Sequence, residues 1–318
     1  MKVTDYFVSA NEHTLVSFEV LPPLKGGGMQ SIFGILDPLM EFKPPFIDVT
    51  YHREEYLYTE TTEGFYEKTA IRKRPGTVGI CASIMHRYGV DAVPHLICGG
   101  FTKSETEDVL IDLNFLSIKN VLALRGDPRK FETKFTSEPN GNTSALDLVG
   151  QIEHMNDGIY LDSNIVNGTK TDFCIGIAGY PEKHYEAPNM ETDLQFTKAK
   201  IDAGAHYIVT QMFFDNSKYF EYVGKCRALG IDVPIIPGLK PLTKKSQLTS
   251  IPRQFFINMP SDLVNAVMKC KDDDEVRQVG IEWCIAQSKE LKENNVACLH
   301  YYTMGDAKTT CKIVEAVL

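Results

Sequence analysis

The segment VDAVPHLICGGFTKSETEDVLIDLNFLSIKNVLALRG, Val90–Gly126, decides the fold. It opens with one short apolar run, Val90–Cys98, and closes with another, Asn120–Gly126. Neither run alternates apolar with polar residues, which is how strands buried on both faces read. Thr102–Lys119, between them, has helical spacing, with Val109, Leu110, Leu113 and Leu116 on one face. Ser104 is the predicted N-cap, with Glu107 as its capping-box partner three residues on. Strand, crossover helix and strand form the unit of a parallel sheet.

The same unit recurs in both directions. Strands are predicted over Leu15–Leu21, Phe46–Thr50, Val90–Cys98, Asn120–Gly126, Phe173–Tyr180, Tyr207–Phe214, Val233–Leu239 and Cys298–Met304. Helices are predicted over Asp193–Ala203 and Ser217–Leu229, which stop at Gly204 and Gly230. Ser261–Lys269 and Glu275–Asn294 read as two helices before the last strand. A doubled helix is predicted over Phe65–Arg74 and Gly76–Tyr88, with Arg72-Lys73-Arg74 as a cationic last turn. Asp127–Asn142 and Gly158–Thr171 carry turn pairs and read as surface loops around one helix, and Gly26-Gly27-Gly28 reads as a loop. Eight alternating β/α units predict an α/β fold, a single TIM-type (β/α)₈ barrel over residues 1–318. An open doubly wound sheet is the alternative, but no G-x-G-x-x-G or Walker A sequence follows a strand.

Composition narrows the function. Hydrophobic residues make up 43% and charged residues 24% of the 318 residues, as in a folded chain with a large core. The net charge of -9, with no long basic run, argues against a nucleic-acid partner. The eight cysteines form no C-x-x-C pair and no zinc spacing, so they read as reduced, buried, small hydrophobes and no metal site is predicted. No signal-like or membrane-length apolar run occurs, which predicts a soluble, cytoplasmic protein with no membrane partner.

Barrel enzymes carry their chemistry at the C-terminal ends of strands. Glu19 sits there among Phe18, Val20, Leu21, Pro22 and Pro23, and such surroundings raise a carboxyl pKa toward the range of a general acid. The competing reading is a carboxylate paired with a Lys or Arg inside the barrel. The second strand ends Asp48-Val49-Thr50-Tyr51-His52, the third carries His95, and the fourth ends Leu124-Arg125-Gly126-Asp127. An Arg, a Gly and an Asp at one strand end suit a phosphate-bearing cofactor and a polar heterocycle. Tyr180 and His184 follow the fifth strand, and Gln211 beside Phe213-Phe214 could present an amide to a flat ring. His95 and His184 also fit structural, hydrogen-bonded roles. Neither has a Ser or Cys nucleophile beside it in sequence, which argues against an acyl-transfer triad.

Taken together, Phe18-Glu19-x-x-Pro22-Pro23, Val49-Thr50-Tyr51, Pro94-His95-Leu96, Ala123-Leu124-Arg125-Gly126-Asp127-Pro128, Tyr180-Pro181-Glu182, Asp202-Ala203-Gly204-Ala205 and Thr210-Gln211-x-Phe213-Phe214-Asp215 resemble methylenetetrahydrofolate reductase. Pro234-x-x-Pro237-Gly238 and His300-Tyr301-Tyr302-Thr303 continue the resemblance, which runs in order from about residue 15 to about residue 305. It implies an FAD-bound barrel that reduces 5,10-methylenetetrahydrofolate to 5-methyltetrahydrofolate with NADH or NADPH, by ping-pong kinetics. It implies Glu19 as the acid that protonates N10, and Asp127 as a carboxylate that favours the cationic intermediate. Gln211 and Gln247 match amides that contact the folate. The implied FAD contacts are Thr50, His95, Leu124, Arg125, Gly126, Asp127, Ala145, Tyr180, His184, Asp193 and Lys200. Phe196, Ala199, Ile251 and Asp306 depart from residues that some relatives carry. The resemblance also implies a homo-oligomer of the short bacterial type without a C-terminal regulatory domain. Two alternatives are a non-redox folate-binding barrel acting in methyl transfer and a barrel lyase, for which Lys240 is the nearest Schiff-base candidate.

Overall fold

The computed structural model describes residues 1–10, 13–129 and 132–318. The chain begins with α1 (Val3–Ser9), β1 (Leu15–Val20), α2 (Met29–Leu39) and β2 (Phe46–Val49). A hairpin of β3 (Glu55–Glu60) and β4 (Tyr66–Ile71) precedes α3 (Thr77–Tyr88). Then come β5 (Asp91–Ile97), α4 (Lys103–Phe115), β6 (Asn120–Leu124), α5 (Ala145–Asn156), β7 (Cys174–Gly179) and α6 (Met190–Asp202). β8 (Tyr207–Thr210), α7 (Asn216–Ala228), β9 (Ile235–Ile236) and β10 (Gly238–Leu239) follow. The chain closes with α8 (Gln247–Phe255), α9 (Ser261–Lys269), α10 (Asp273–Glu293), β11 (Cys298–Tyr302) and α11 (Ala307–Val317).

The barrel strands pair in the order β10-β11-β1-β2-β5-β6-β7-β8-β9, and every pairing is parallel. β9 and β10 are two pieces of one run on either side of Pro237. Ile235 and Ile236 pair with β8, whereas Gly238 and Leu239 pair with β11, so this run closes the ring. The unbroken strand predicted over Val233–Leu239 is thereby corrected. Proline has no N–H to give a ladder, and the pairing changes sides across it. Its carbonyl is still used, accepting from the His300 amide at 3.1 Å.

Side chains alternate between two cores. Val16, Phe18 and Val20 of β1 face outward into the layer shared with the helices, as do Ile47 and Val49 of β2. Phe46, Val93, Leu122, Cys174, Tyr207, Ile236 and Cys298 fill the inside of the barrel. Gly176 is needed there, because a Cβ would stand 2.6 Å from the Tyr207 hydroxyl. Helix α1 closes the end where the strands begin. Val3 is buried, and its amide donates to Asn120 Oδ1 at 2.8 Å. Seven cysteines are buried, Cys311 is partly so, and all eight are free thiols.

Phe65–Arg74 is not helical: residues 66–71 form β4, antiparallel to β3. Alternating Tyr and Thr favour a strand, and Gly64 at φ +80° makes the turn. Arg72-Lys73-Arg74 therefore ends no helix. It ties the hairpin to the loop after β1, with Arg74 donating to the Pro22 carbonyl and the Lys25 amide to Lys73 O at 2.7 Å. The cap of α4 is Thr102 with Glu105, not Ser104 with Glu107, and Leu116 lies past its end and is exposed. Helix α6 begins at Met190, capped by Asn189. The two predicted loops do flank one helix, α5; Lys130 and Phe131 of the first lie outside the described residues.

Candidate active site

Partners in a parallel ladder face the same way, and this alternation assembles the barrel mouth. Glu19 on β1 is in register with Asp48 on β2 and with Tyr302 on β11. Ser17, two residues before Glu19, also points inward, and its Oγ lies 2.8 Å from His300 Nδ1. From β5, His95 brings Nε2 to 3.7 Å from Glu19 Oε2. The Tyr302 hydroxyl donates to the Thr210 carbonyl at 2.6 Å, across the short seam strand. Gly238 leaves room for that contact: a Cβ there would lie 2.5 Å from the Tyr302 hydroxyl.

Burial dominates the electrostatics. It pushes the Glu19 carboxyl up to about 8, and the Lys240 ammonium offsets this only in part. Asp48 is raised well above the usual carboxylate range, by burial first and then by Glu19. Neither Asp48 oxygen has a hydrogen-bond partner among the described residues, as suits a neutral acid. His300 and His95 are both pushed down to about 3 by burial, His95 further by His300 and His52. The His95–Glu19 contact is therefore carboxyl to neutral ring at neutral pH, rather than an ion pair. Lys240 is lowered by burial, with Glu19 pulling the other way.

A second group lies at the ends of β6 and β7. Arg125 follows β6, pairs with Glu186 and sits 5.0 Å over the Phe135 ring. Gly126 adopts φ +86°, the left-handed region that favours glycine, and Asp127 beyond it is exposed. Tyr180 meets the His184 ring edge-on at 4.7 Å. His184 is pushed down to about 4, by burial and then by Arg125. Its amide donates to Asp193 Oδ2 at 2.9 Å. Burial raises Asp193 and pushes Lys200 down to about 8, with Asp193 opposing the latter shift. Lys200 Nζ is 3.3 Å from the Ala178 carbonyl oxygen. Leu124 ends β6 and Ala145 opens α5. Thr50, just past β2, has a buried hydroxyl without a partner among the described residues.

The sequence-derived residues from Glu19 to Lys200 thus stand on strands, in the loops beyond them or on adjoining helices, with Asp193 in the first turn of α6 and Lys200 in its last. Gln211, partly buried, follows β8, and its backbone N–H donates to the Gly179 carbonyl at 2.8 Å. Gln247 opens α8, and its side-chain oxygen is engaged by the Thr243 and Lys244 amides at 2.7 and 3.1 Å. Asp306 caps α11 through the Thr309 amide and pairs with Arg277 at 2.5 Å. His300, Tyr302 and the proximity of Lys240 to Glu19 were not assigned from sequence. Period-two alternation along Ser17–Glu19 and His300–Tyr302 is the signal that places them on one face. Among the described residues no group of three or more His, Cys, Asp or Glu could hold a metal ion. No described helix is long and apolar enough to cross a membrane.

Residues 6–317 match the family model described as methylenetetrahydrofolate reductase. Methylenetetrahydrofolate reductase 1 of Schizosaccharomyces pombe is 31% identical over 99% of this chain and 48% of its own length. The 5,10-methylenetetrahydrofolate reductase of Salmonella typhimurium is 30% identical over 95% of this chain and 90% of its own. The chain spans about half the length of the eukaryotic relatives it matches. Among solved structures, a Clostridium thermocellum protein that binds 5-methyl-5,6,7,8-tetrahydrofolic acid superposes with a TM-score of 0.57 at 12% identity. That match covers 99% of this chain and 98% of the other, and it bears on the fold alone.

Proposed function

The chain belongs to the methylenetetrahydrofolate reductase family, and from that premise we propose that it reduces 5,10-methylenetetrahydrofolate to 5-methyltetrahydrofolate, using bound FAD and NADH or NADPH in turn. One observation carries the reading: Glu19 is a carboxyl on the inner face of the mouth, kept protonated near neutral pH by burial. Such a group can give its proton to a weakly basic amine. Protonation at N10 lets the ring C–N bond break with its electrons going to N10, and the N5 lone pair forms the iminium cation. The Asp127 carboxylate, exposed at the same end of the barrel, favours that cation. In this reading the Gln211 side chain orients the pterin, and Gln247 offers its NH₂, since its oxygen is engaged locally.

The residues present fit FAD. Thr50 Oγ1 and His95 Nε2 are buried polar atoms without hydrogen-bond partners among the described residues, in want of a polar ligand. Arg125 and Lys200 are the cations for a pyrophosphate, and the first-turn amide of Ala145 and the backbone of Leu124 and Gly126 add donors and space. Tyr180, His184 and Asp193 brace this side through their mutual contacts. When bound, the flavin supplies a two-electron carrier able to pass hydride to the substrate methylene.

The test is Glu19→Gln, followed by rapid mixing of each half-reaction. Reduction of the flavin by the nicotinamide should persist while oxidation of reduced flavin by methylenetetrahydrofolate is lost. Equal loss of both half-reactions would remove Glu19 from the acid role. A purified protein with no flavin absorbance, even after FAD is added, would sink the whole reading.

A further inference from the structure

Lys240 is the residue this fold places beside Glu19 without an evident structural task. It follows Gly238 and Leu239, which pair with His300 and Tyr301, so the ladder direction carries it to the level of Tyr302. Tyr302 is in turn the register partner of Glu19. Pro241 follows, and a residue before proline is held extended, so Lys240 continues the strand and its side chain stays on the inner face. Lys240 makes no hydrogen bond or ion pair to any other side chain among the described residues. We propose that Lys240 is a positioning residue for the acid: its ammonium stabilises the Glu19 carboxylate that remains once the proton has gone to substrate.

The inference rests on the proposed role of Glu19. In the proton transfer the Glu19 O–H bond breaks and an N–H bond forms on the substrate amine, which leaves a buried negative charge. The other groups facing Glu19 give that charge little help. Asp48 on β2 is a neutral or repelling acid. His95 on β5 and His300 on β11 are neutral rings, and the Tyr302 phenol stays protonated. His52 beyond β2 and Tyr180 beyond β7 reach the cluster only through His95 and Tyr302. Lys240 is the cation whose field acts on Glu19, and the coupling is reciprocal. Burial alone would hold the proton too tightly for transfer to a weak base. The lysine returns part of that acidity.

The test labels glutamate side-chain carboxyls with ¹³C in the holoprotein, assigning Glu19 by the signal lost in Glu19→Gln. In Lys240→Met the Glu19 midpoint should rise by about one unit or more, and in Lys240→Arg it should stay near that of the parent. The folate half-reaction should slow about threefold to tenfold more than the nicotinamide half-reaction in Lys240→Met, with recovery in Lys240→Arg. Lys240→Gln replaces the Met variant if the latter does not fold. An unmoved Glu19 midpoint in a folded neutral variant overturns the Lys240 proposal, even if Glu19→Gln abolishes folate reduction. Retention of folate reduction in Glu19→Gln instead overturns the reading on which it rests.

Discussion

Glu19→Gln should gain stability relative to the parent as the pH rises, and the structure gives the size of the effect. In an unfolded chain the carboxyl titrates near its ordinary 4.5; in the fold, burial moves it to about 8. Between those values the folded state keeps a proton that the unfolded state has lost. Stability contributed at this site is therefore fully present below about 4.5 and is lost as the pH rises to about 8. At about 1.4 kcal/mol per unit, the shift corresponds to about 5 kcal/mol. Local rearrangement and water penetration reduce what is realised, so a gap of about 2–5 kcal/mol is expected. The assay is urea unfolding of parent and variant at matched FAD from pH 5 to pH 9, since bound ligand stabilises the fold. Subtraction removes the groups common to both proteins. The gap in favour of Gln should widen with pH and level off once Glu19 is ionised. A gap of the same size at both ends of the range would refute the buried, protonated carboxyl.

Gly280→Ala should destabilise by about 1–3 kcal/mol or more. The new Cβ would press on the Leu242 carbonyl and lie 2.8 Å from the Leu242 nitrogen, which is backbone and cannot swing aside; an unchanged urea midpoint would contradict this. Asp306→Ala should cost about 1–2 kcal/mol, because it removes a helix cap as well as the Arg277 pair. Arg277→Ala, which spares the cap, should cost less by the same measurement. Replacing Tyr56–Ala70 with a short turn should change barrel stability by less than about 1 kcal/mol, since β3 and β4 expose most of their residues. A large fall in the unfolding midpoint would show that the hairpin holds the barrel together.

The barrel was legible because its strands are buried on both faces and so lack alternation, while the helices between them carry one apolar stripe. The hairpin was not legible for the converse reason. Leu57, Tyr58, Phe65 and Tyr66 are exposed, so no core demand distinguishes their pattern from a helical one. Caps slipped by a residue or two where several Ser and Thr compete, as at Thr102 and Ser104. In the site, Glu19 was legible because its apolar neighbours in sequence already imply burial. Lys240 was not, because its surroundings come from β1 and β11, far away along the chain. Gln247 shows the same limit: an amide at a matching position does not reveal that its oxygen serves its own turn.

The split run around Pro237 makes the barrel a bracelet with a clasp. Each side of the clasp grips with only two residues, Ile235–Ile236 on one neighbour and Gly238–Leu239 on the other. The other links are longer, as between β1 and β11, where five residues are in register. Loosening the clasp would disturb few ladder bonds elsewhere, and the residues next along the chain are Lys240 and Pro241. Small displacements there would thus alter the distance from ammonium to carboxyl before they altered the ring as a whole. The shortest pairing in the barrel is also the point from which the Glu19 carboxyl can be adjusted.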